Sequence, residues 1–296
     1  MSNAETGRSA PFWDAEFLAG LRQDWIGPTS RRVQTLDPMQ AELLAATLEV
    51  AAETDAGAAL PPLWHCIYFP DATPSSALGA DGTSRQQALL PPVGAPEVLW
   101  AGLSLEVIKP LMLGEQAVRT SRVTAIEAKT GRGTPKVFVT TEHQYEQSGQ
   151  LAMVERNQAV FLSAGIPGNE KLRAAVETAC KSEPLQSWRV DETVLFRFSA
   201  LTFNAHRIHY DRRYTTELAG YRNLLVHGPL QALLMCESFR SSWPDRVLRS
   251  ARFRACQPLY CAGSVLVRAD PTEAGELRIW TQAGHEGVAM DGHLSF

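Results

Sequence analysis

Strand-like segments joined by short polar turns recur along this chain, and they limit its possible folds more than any other feature. Four of them cover residues 100–107, 115–129, 136–147 and 151–162. Gly131-Arg-Gly133 and Ser148-Gly149 are hairpin signals between three of these segments. Three more strand-like segments lie further along, at residues 247–255, 264–269 and 276–283. The pattern predicts antiparallel sheet in both parts of the chain.

Helical patterns precede each run of strands. Residues 11–25 have an apolar face with helical spacing, and Asp37-Pro38 is a capping signal for a second helix over residues 39–53. In the second part, Gly228-Pro229 stands before the apolar run LQALLMC, which predicts a helix that begins at Gly228 or Pro229. We therefore expect an α+β protein of two related domains, each with a sheet wrapped around one long helix.

The remaining segments are assigned from composition and spacing. Residues 63–69 and 193–198 are short apolar runs of strand type, residues 212–219 predict a short helix, and residues 70–96 predict a long loop. The predicted organisation is an N-terminal domain (1–165) without chemistry of its own, a linker (166–187) and a C-terminal catalytic domain (188–296). The tail that carries Asp291 and His293 is expected to be flexible.

Composition excludes several classes of function. The chain has 296 residues, 45% hydrophobic and 20% charged, with a net charge of −4, which gives no basic face for nucleic acid. No apolar run is long enough to span a membrane, and the first residues lack the apolar core of a signal peptide. Five scattered cysteines without a CxxC pair indicate reduced thiols, so we expect a cytoplasmic protein.

Residues 199–211, with the sequence SALTFNAHRIHYD, concentrate groups that can move protons or form hydrogen bonds: Asn204, His206, His209 and Asp211. A histidine with a pKa near 6.5 suits acid–base chemistry at neutral pH. The helix predicted at Gly228 offers unpaired N–H groups and the positive end of its dipole. Chemistry on a thioester carbonyl needs both kinds of group.

The region from Phe198 to Leu230 resembles the MaoC-like hydratase/dehydratase family of hot-dog proteins. The phrase above, with Gly220-Tyr221 and VHGPL at 226–230, is similar to the double hot-dog subgroup of mesaconyl-CoA and itaconyl-CoA hydratases and the mitochondrial fatty-acid-synthesis dehydratase of fungi. Shorter matches lie in the first part of the chain, at residues 25–28, 60–64, 90–92 and 99–110.

The resemblance implies a double hot-dog fold and a reversible hydration of an enoyl-CoA thioester. It places His209 on the family's catalytic His, Gly228 on its oxyanion-binding Gly, and Asn204 on its catalytic Asp. The subgroup points to short branched dicarboxylic acyl groups such as mesaconyl or itaconyl, although it also includes longer acyl substrates. It further implies a homodimer or other homo-oligomer. Hydration is redox-neutral, so no cofactor or metal is expected.

Several of these residues have a second interpretation. Asn204 either orients the attacking water or only stabilises a turn, because an Asn side chain readily bonds to nearby backbone. Arg207 either binds a substrate carboxylate or forms a surface ion pair. His206 either steadies the acyl group or His209, and the His-x-x-His spacing is weak evidence for a metal. His227 contributes to substrate binding or packs locally, and Asp211 is expected to cap the next helix.

Two other functions remain compatible with the sequence. An acyl-CoA thioesterase of the same architecture could use Asn204 to hold a water and the Gly228 helix to bind the oxyanion. A non-catalytic acyl-CoA-binding protein is the third possibility, because Asn in place of Asp breaks the family's usual dyad. Free CoA would identify the thioesterase, and binding without turnover would identify the third class.

Overall fold

The computed structural model describes residues 13–84, 89–95, 97–131, 134–163, 183–272, 275–283 and 287–296. The first half contains α1 (Ala15–Trp25), β1 (Thr29–Thr35), α2 (Pro38–Leu48), β2 (Glu97–Val107), β3 (Gln116–Gly131), β4 (Thr134–Gln147) and β5 (Gln150–Leu162). The second half contains β6 (Gln186–Val190), α3 (Glu192–Leu201), α4 (Gly228–Ser242), β7 (Ser250–Ala255), β8 (Gly263–Pro271), β9 (Glu276–Gln282) and β10 (Met290–Ser295). Short 3₁₀ turns lie at Trp64–Ile67, Ser75–Ala77 and Arg207–His209, and a π turn lies at Tyr214–Leu218.

All ten strands form one antiparallel sheet in the order β1-β3-β4-β5-β2-β7-β10-β9-β8-β6. The order is symmetric about its centre, where β2 pairs with β7 from Gly102↔Arg254 to Glu106↔Ser250. Each half therefore contributes five strands in equivalent order, and the two halves are joined edge to edge. The seven strands predicted within residues 100–162 and 247–283 are confirmed, as is the turn at Ser148-Gly149, where both residues have positive φ. The Gly131–Gly133 signal and most of the predicted linker lie outside the described residues, and the domain boundaries stay predictions.

Helix α4 is the central helix of the second half and begins at Gly228, as the Gly-Pro signal predicts. Pro229 lies in its first turn, where a missing N–H costs no hydrogen bond. The side chains from Leu230 to Phe239 are all buried, and the helix packs against β8, β9 and β10. Burial of this kind contributes about 2 kcal/mol for each large aliphatic side chain, so α4 is fixed firmly in the core.

Within its described residues, the first half has no helix of this length. By element order, the 3₁₀ turn Trp64–Ile67 takes the place that α4 has in the second half, so the described part of the chain has a long central helix in the second half alone. The predicted strand over residues 63–69 is wrong. Leu63 has a left-handed backbone conformation (φ 67°), which starts the turn, and Trp64 is fully buried beneath it. A short apolar run does not distinguish a strand from another buried segment.

Two more predictions are corrected by the structure. Residues 193–198 are helical rather than extended, because the side chain of Asp191 accepts the Val194 N–H at 3.0 Å and caps α3. The C-terminal residues are not a flexible tail, since β10 lies inside the sheet between β7 and β9. Its Asp291 forms an ion pair with Arg278 at 2.8 Å. Among the described residues, no helix is long and apolar enough to cross a membrane.

Candidate active site

The histidine-containing segment follows α3 through a tight turn. Phe203 has a left-handed conformation (φ 53°), and the Oδ1 atom of Asn204 accepts the backbone N–H of His206 at 3.0 Å. This is the local turn that the second interpretation of Asn204 predicts. The Asn204 side chain is exposed, and its Nδ2 atom has no hydrogen bond within the described part of the chain. After this turn the chain continues into the 3₁₀ turn Arg207–His209.

His209 is buried, with 8% of its surface exposed, and its orientation is fixed by the backbone. Its Nδ1 atom lies 2.9 Å from the carbonyl oxygen of Leu225, which can only accept, so Nδ1 carries the proton. The Nε2 atom therefore has a free lone pair, with no hydrogen bond to any described residue. Burial lowers the pKa of His209 to about 3, although the Leu225 carbonyl opposes this and His206 adds to it. His209 is thus a neutral imidazole at pH 7, with Nε2 unprotonated.

His227 stacks on His209, with ring centroids 3.7 Å apart and planes inclined by 19°. It is 1% exposed, and its Nε2 atom lies 2.9 Å from the Ser199 hydroxyl. Burial lowers the pKa of His227 well below its usual value, and the neighbouring His209 and His206 act in the same direction. His227 therefore packs on His209 and supports its position, and its role in substrate binding stays a prediction.

The N-terminus of α4 lies next to this stack, since His227 is its capping residue. Pro229 has no N–H, and the Gly228 N–H has no hydrogen-bond acceptor among the described residues. A Cβ atom on Gly228 would lie 2.5 Å from Cε3 of Trp100, which belongs to β2 of the first half. Glycine is thus required here because the indole of the other half packs directly on its Cα.

A partly buried series of hydrogen bonds holds Trp100 in this position. Its Nε1 donates to Oδ1 of Asn157 at 3.2 Å, and Asn157 in turn donates to Glu155. Glu155 also pairs with Nε2 of His65 at 2.6 Å. Burial by itself would raise the pKa of Glu155, but His65 and Asn157 hold it below its usual value. The sequence gives no signal for this series of hydrogen bonds, because His65 and Trp100 are far along the polypeptide from Glu155 and Asn157.

Arg207 turns away from the histidines. Its Nε and Nη2 atoms donate to Asp211, Nη1 donates to the carbonyl oxygen of Ala80, and the guanidinium lies over the ring of Tyr214. All three guanidinium nitrogens of Arg207 therefore have acceptors within the protein, which agrees with the ion-pair interpretation. Asp211 accepts the Tyr214 N–H at 2.9 Å and caps the short helical segment after it, as predicted. The role of Arg207 in substrate binding stays a prediction.

His206 stands at the edge of the site, with its ring perpendicular to that of His209 and the centroids 5.5 Å apart. The described residues contain no group of three or more side chains that could hold a metal ion. A loop of the first half, residues 79–83, lies against this segment, and the Arg207 N–H donates to the carbonyl oxygen of Asp81 at 2.8 Å. Part of the long loop predicted at residues 70–96 thus covers the histidine segment. The structure brings together His206, His209, His227 and Gly228, and leaves Asn204 and Arg207 at the margin.

With this geometry established, comparisons with known proteins identify the family. A family model described as hydroxyacyl-thioester dehydratase type 2 matches residues 63–261. The chain belongs to this family. The match covers both the Trp64–Ile67 turn of the first half and the whole histidine segment, so it includes every group described above.

Two curated relatives agree with the family assignment. Mesaconyl-C(4)-CoA hydratase of Chloroflexus aurantiacus is 38% identical over 238 residues, which cover 80% of this chain and 84% of that protein. The mitochondrial hydroxyacyl-thioester dehydratase type 2 of Schizosaccharomyces pombe is 28% identical over 228 residues, covering 68% and 74%. The resemblance stated from the sequence is confirmed.

Solved structures support the fold alone, because their sequence identity is low. A MaoC-like dehydratase from Phytophthora capsici superposes with a TM-score of 0.68 at 16% identity, covering 91% of this chain and 95% of that one. A Mycobacterium tuberculosis protein described as having a double hot-dog fold superposes with a TM-score of 0.56 at 13% identity, covering 93% and 97%. The predicted double hot-dog fold is confirmed, and the individual residue roles stay predictions.

Proposed function

We propose that this family member catalyses the reversible hydration of an enoyl-CoA thioester, with a short branched dicarboxylic acyl group such as mesaconyl as the substrate. The observation that carries the proposal is the orientation of His209. Its Nδ1–H is committed to the Leu225 carbonyl, which leaves Nε2 as a base beside the N-terminus of α4. The mesaconyl-C(4)-CoA hydratase named above supports the choice of acyl group.

The chemistry follows from these groups. His209 Nε2 takes a proton from water while the water oxygen adds to the β-carbon of the enoyl group. The Gly228 N–H and the dipole of α4 stabilise the negative charge that develops on the thioester oxygen. Asn204 is assigned to orient the water through its free Nδ2, since its Oδ1 is occupied by the turn. A proton is then returned to the α-carbon, which completes the addition of water. Because the addition of water is redox-neutral, no cofactor is expected.

The test uses purified protein with mesaconyl-, itaconyl- and crotonyl-CoA. Loss of the enoyl-thioester absorbance is followed together with product mass, and the expected product has gained one water with its thioester intact. His209→Ala is expected to abolish this reaction. The matched control is His293→Ala, which removes an exposed imidazole of β10 and leaves activity at the wild-type level.

Other outcomes would replace the proposal. Release of free CoA would identify a thioesterase, and binding of all three thioesters without turnover would identify a non-catalytic acyl-CoA-binding protein. Activity that persists in His209→Ala would remove His209 from the mechanism. The predicted homodimer or other homo-oligomer and the cytoplasmic location stay proposals, which size-exclusion chromatography and cell fractionation test directly.

A further inference from the structure

The imidazole of His227 has one nitrogen with a hydrogen-bond partner and one without. Its Nε2 atom lies 2.9 Å from the hydroxyl oxygen of Ser199. Its Nδ1 atom is buried and has no hydrogen-bond partner among the described residues. Folded proteins rarely leave a buried polar atom unpaired, because the atom loses its hydrogen bond to water and gains nothing in return. The unpaired Nδ1 therefore indicates a place where a ligand atom binds.

The Ser199 hydroxyl determines which nitrogen of His227 carries the proton. Burial lowers the pKa of His227 well below its usual value, so the ring is neutral and has one N–H. Ser199 is buried, and in the described part of the chain its hydroxyl has no hydrogen bond except the one to His227. If Nε2 carried the proton, both the Ser199 O–H and the lone pair of Nδ1 would be left unpaired. The hydroxyl therefore donates to Nε2, and Nδ1 carries the proton.

The Nδ1–H group lies at the N-terminus of α4, because His227 is the residue that caps this helix. The next residue is Gly228, whose backbone N–H also has no acceptor among the described residues. Two unpaired N–H donors of adjacent residues thus lie at the positive end of the helix dipole. The His227 ring stacks on His209 with the centroids 3.7 Å apart, so its Nδ1 is also beside the base of the proposed reaction.

We propose that the Nδ1–H of His227 is a second donor to the thioester oxygen, beside the Gly228 N–H, and that Ser199 is the positioning residue that keeps the proton on Nδ1. This inference rests on the proposed function. It gives His227 a part in the reaction in addition to its packing against His209. It also extends the site to α3, the helix that contains Ser199.

The two N–H groups bind an oxygen whose charge changes during the reaction. As the water oxygen bonds to the β-carbon, the electron pair of the C=C bond moves towards the thioester oxygen, which becomes negative. Both donors bind this oxygen more strongly than the neutral carbonyl, so they lower the barrier. His227 keeps its proton throughout, because a neutral imidazole can polarise a carbonyl without giving up a proton. The proton that His209 takes from water is returned to the α-carbon, and the carbonyl is restored.

The first test is the tautomer of His227, measured by NMR on the full-length protein with ¹⁵N-labelled histidine. The ring signals are assigned by their loss in His227→Gln. In wild type, a protonated Nδ1 and an unprotonated Nε2 are expected. In Ser199→Ala the proton is expected to move towards Nε2, because the hydroxyl donor is lost. Ser238→Ala is the matched control, since the Ser238 hydroxyl is also buried but bonds to Trp188 and Leu234. An unprotonated Nδ1 in wild type would overturn the inference.

The second test is the response of the Nδ1–H signal to a bound thioester. The probes are butyryl-CoA and methylsuccinyl-CoA, the saturated counterparts of crotonyl- and mesaconyl-CoA, which cannot be hydrated. Binding is measured by calorimetry, and the Nδ1–H proton signal is expected to move to higher frequency when the thioester oxygen accepts its hydrogen bond. An unchanged signal in the complex would overturn the inference. A protein that binds these thioesters but hydrates no enoyl-CoA would contradict the proposed function alone, and a protein that binds none would contradict both.

The third test is the hydration rate of variants at the same position. His227→Leu is expected to lower kcat about 100-fold, with KM changed much less, because one donor to the oxyanion is lost. Asn is close to Leu in size and offers an N–H donor near the position of Nδ1, so kcat of His227→Asn is expected to be about tenfold higher than that of His227→Leu. Both variants lose the stack on His209, so a role in packing alone predicts equal kcat values, and that result would overturn the inference.

Discussion

The indole of Trp100 lies directly on Gly228, so that the first half of the chain closes one side of the helix N-terminus in the second half. Main-chain N–H groups at this end of α4 are available only as long as the backbone keeps its present position. The contact therefore links the packing between the two halves to the stabilisation of the thioester oxygen.

Gly228→Ala is expected to lower kcat about 100-fold, because its Cβ would lie 2.5 Å from the Trp100 ring and displace the Gly228 N–H. Adding Trp100→Ala should recover part of this loss by removing the obstacle. Gly20→Ala is the control, since a Cβ at Gly20 in α1 meets no atom within 4 Å. Steady-state kinetics of the three variants checks the prediction, and full activity in Gly228→Ala would contradict it.

Gly82→Ala is expected to reduce activity far more than Gly94→Ala. Both glycines have positive φ values, +82° and +72°, so both substitutions strain the backbone. Only at Gly82 would the new Cβ meet another backbone atom, the Ala205 carbonyl oxygen. The comparison of kcat therefore isolates the contact between the loop and the histidine segment from backbone strain. Equal losses in the two variants would show that this contact has no effect on catalysis.

Stability should fall as the pH decreases below 7. The pKa of His209 is about 3 in the folded protein and about 6.5 when unfolded, so between these values the unfolded chain binds the extra proton. This one residue is expected to lower the free energy of unfolding by about 2 kcal/mol between pH 7 and pH 5. Urea unfolding at the two pH values should show a smaller difference for His209→Gln than for wild type. The exposed-site variant His293→Gln serves as its control and should behave as wild type does.

Glu237→Ala should destabilise the protein by about 3 kcal/mol without changing kcat. The Glu237 carboxylate is 1% exposed, accepts the Trp64 indole N–H at 2.8 Å, and pairs with Arg240 at 2.7 Å. Its loss leaves the buried Trp64 indole N–H without its acceptor and removes the carboxylate partner of Arg240, which keeps only its hydrogen bond to the Ala51 carbonyl oxygen. Thermal unfolding measures the effect against Glu217→Ala, which removes an exposed i, i+4 pair with Arg213 and should change little. Similar melting temperatures for the two variants would contradict the prediction.

The sequence predicts the parts of this protein that depend on local pattern. The long alternating segments predict seven strands correctly, and the Gly228-Pro229 signal predicts the central helix. In each case several neighbouring residues indicate the same structure. The short apolar runs at residues 63–69 and 193–198 are misassigned, since in both cases the deciding feature is a single residue. Leu63 has a left-handed backbone conformation in the first run, and Asp191 caps the helix that contains the second.

The candidate site also has residues that the local sequence predicts and residues that it does not. His206, His209, His227 and Gly228 are close along the chain, and one motif is enough to bring them together. Trp100 and the Ala80–Gly82 loop reach the site from more than a hundred residues away, through the seam between the halves. Nothing local in the sequence indicates that contact, because it depends on how the two halves of the sheet meet at β2 and β7.

The seam between β2 and β7 also limits how this protein can be divided. A chain that carried only the second half would lack the Trp100 wall and the residues of the 79–83 loop, and it would leave the edge of β7 open to pair with other molecules. The two halves expressed as separate polypeptides should therefore be inactive alone and regain activity only when mixed. That makes the protein a natural candidate for a split-enzyme reporter, in which turnover records the meeting of two fusion partners.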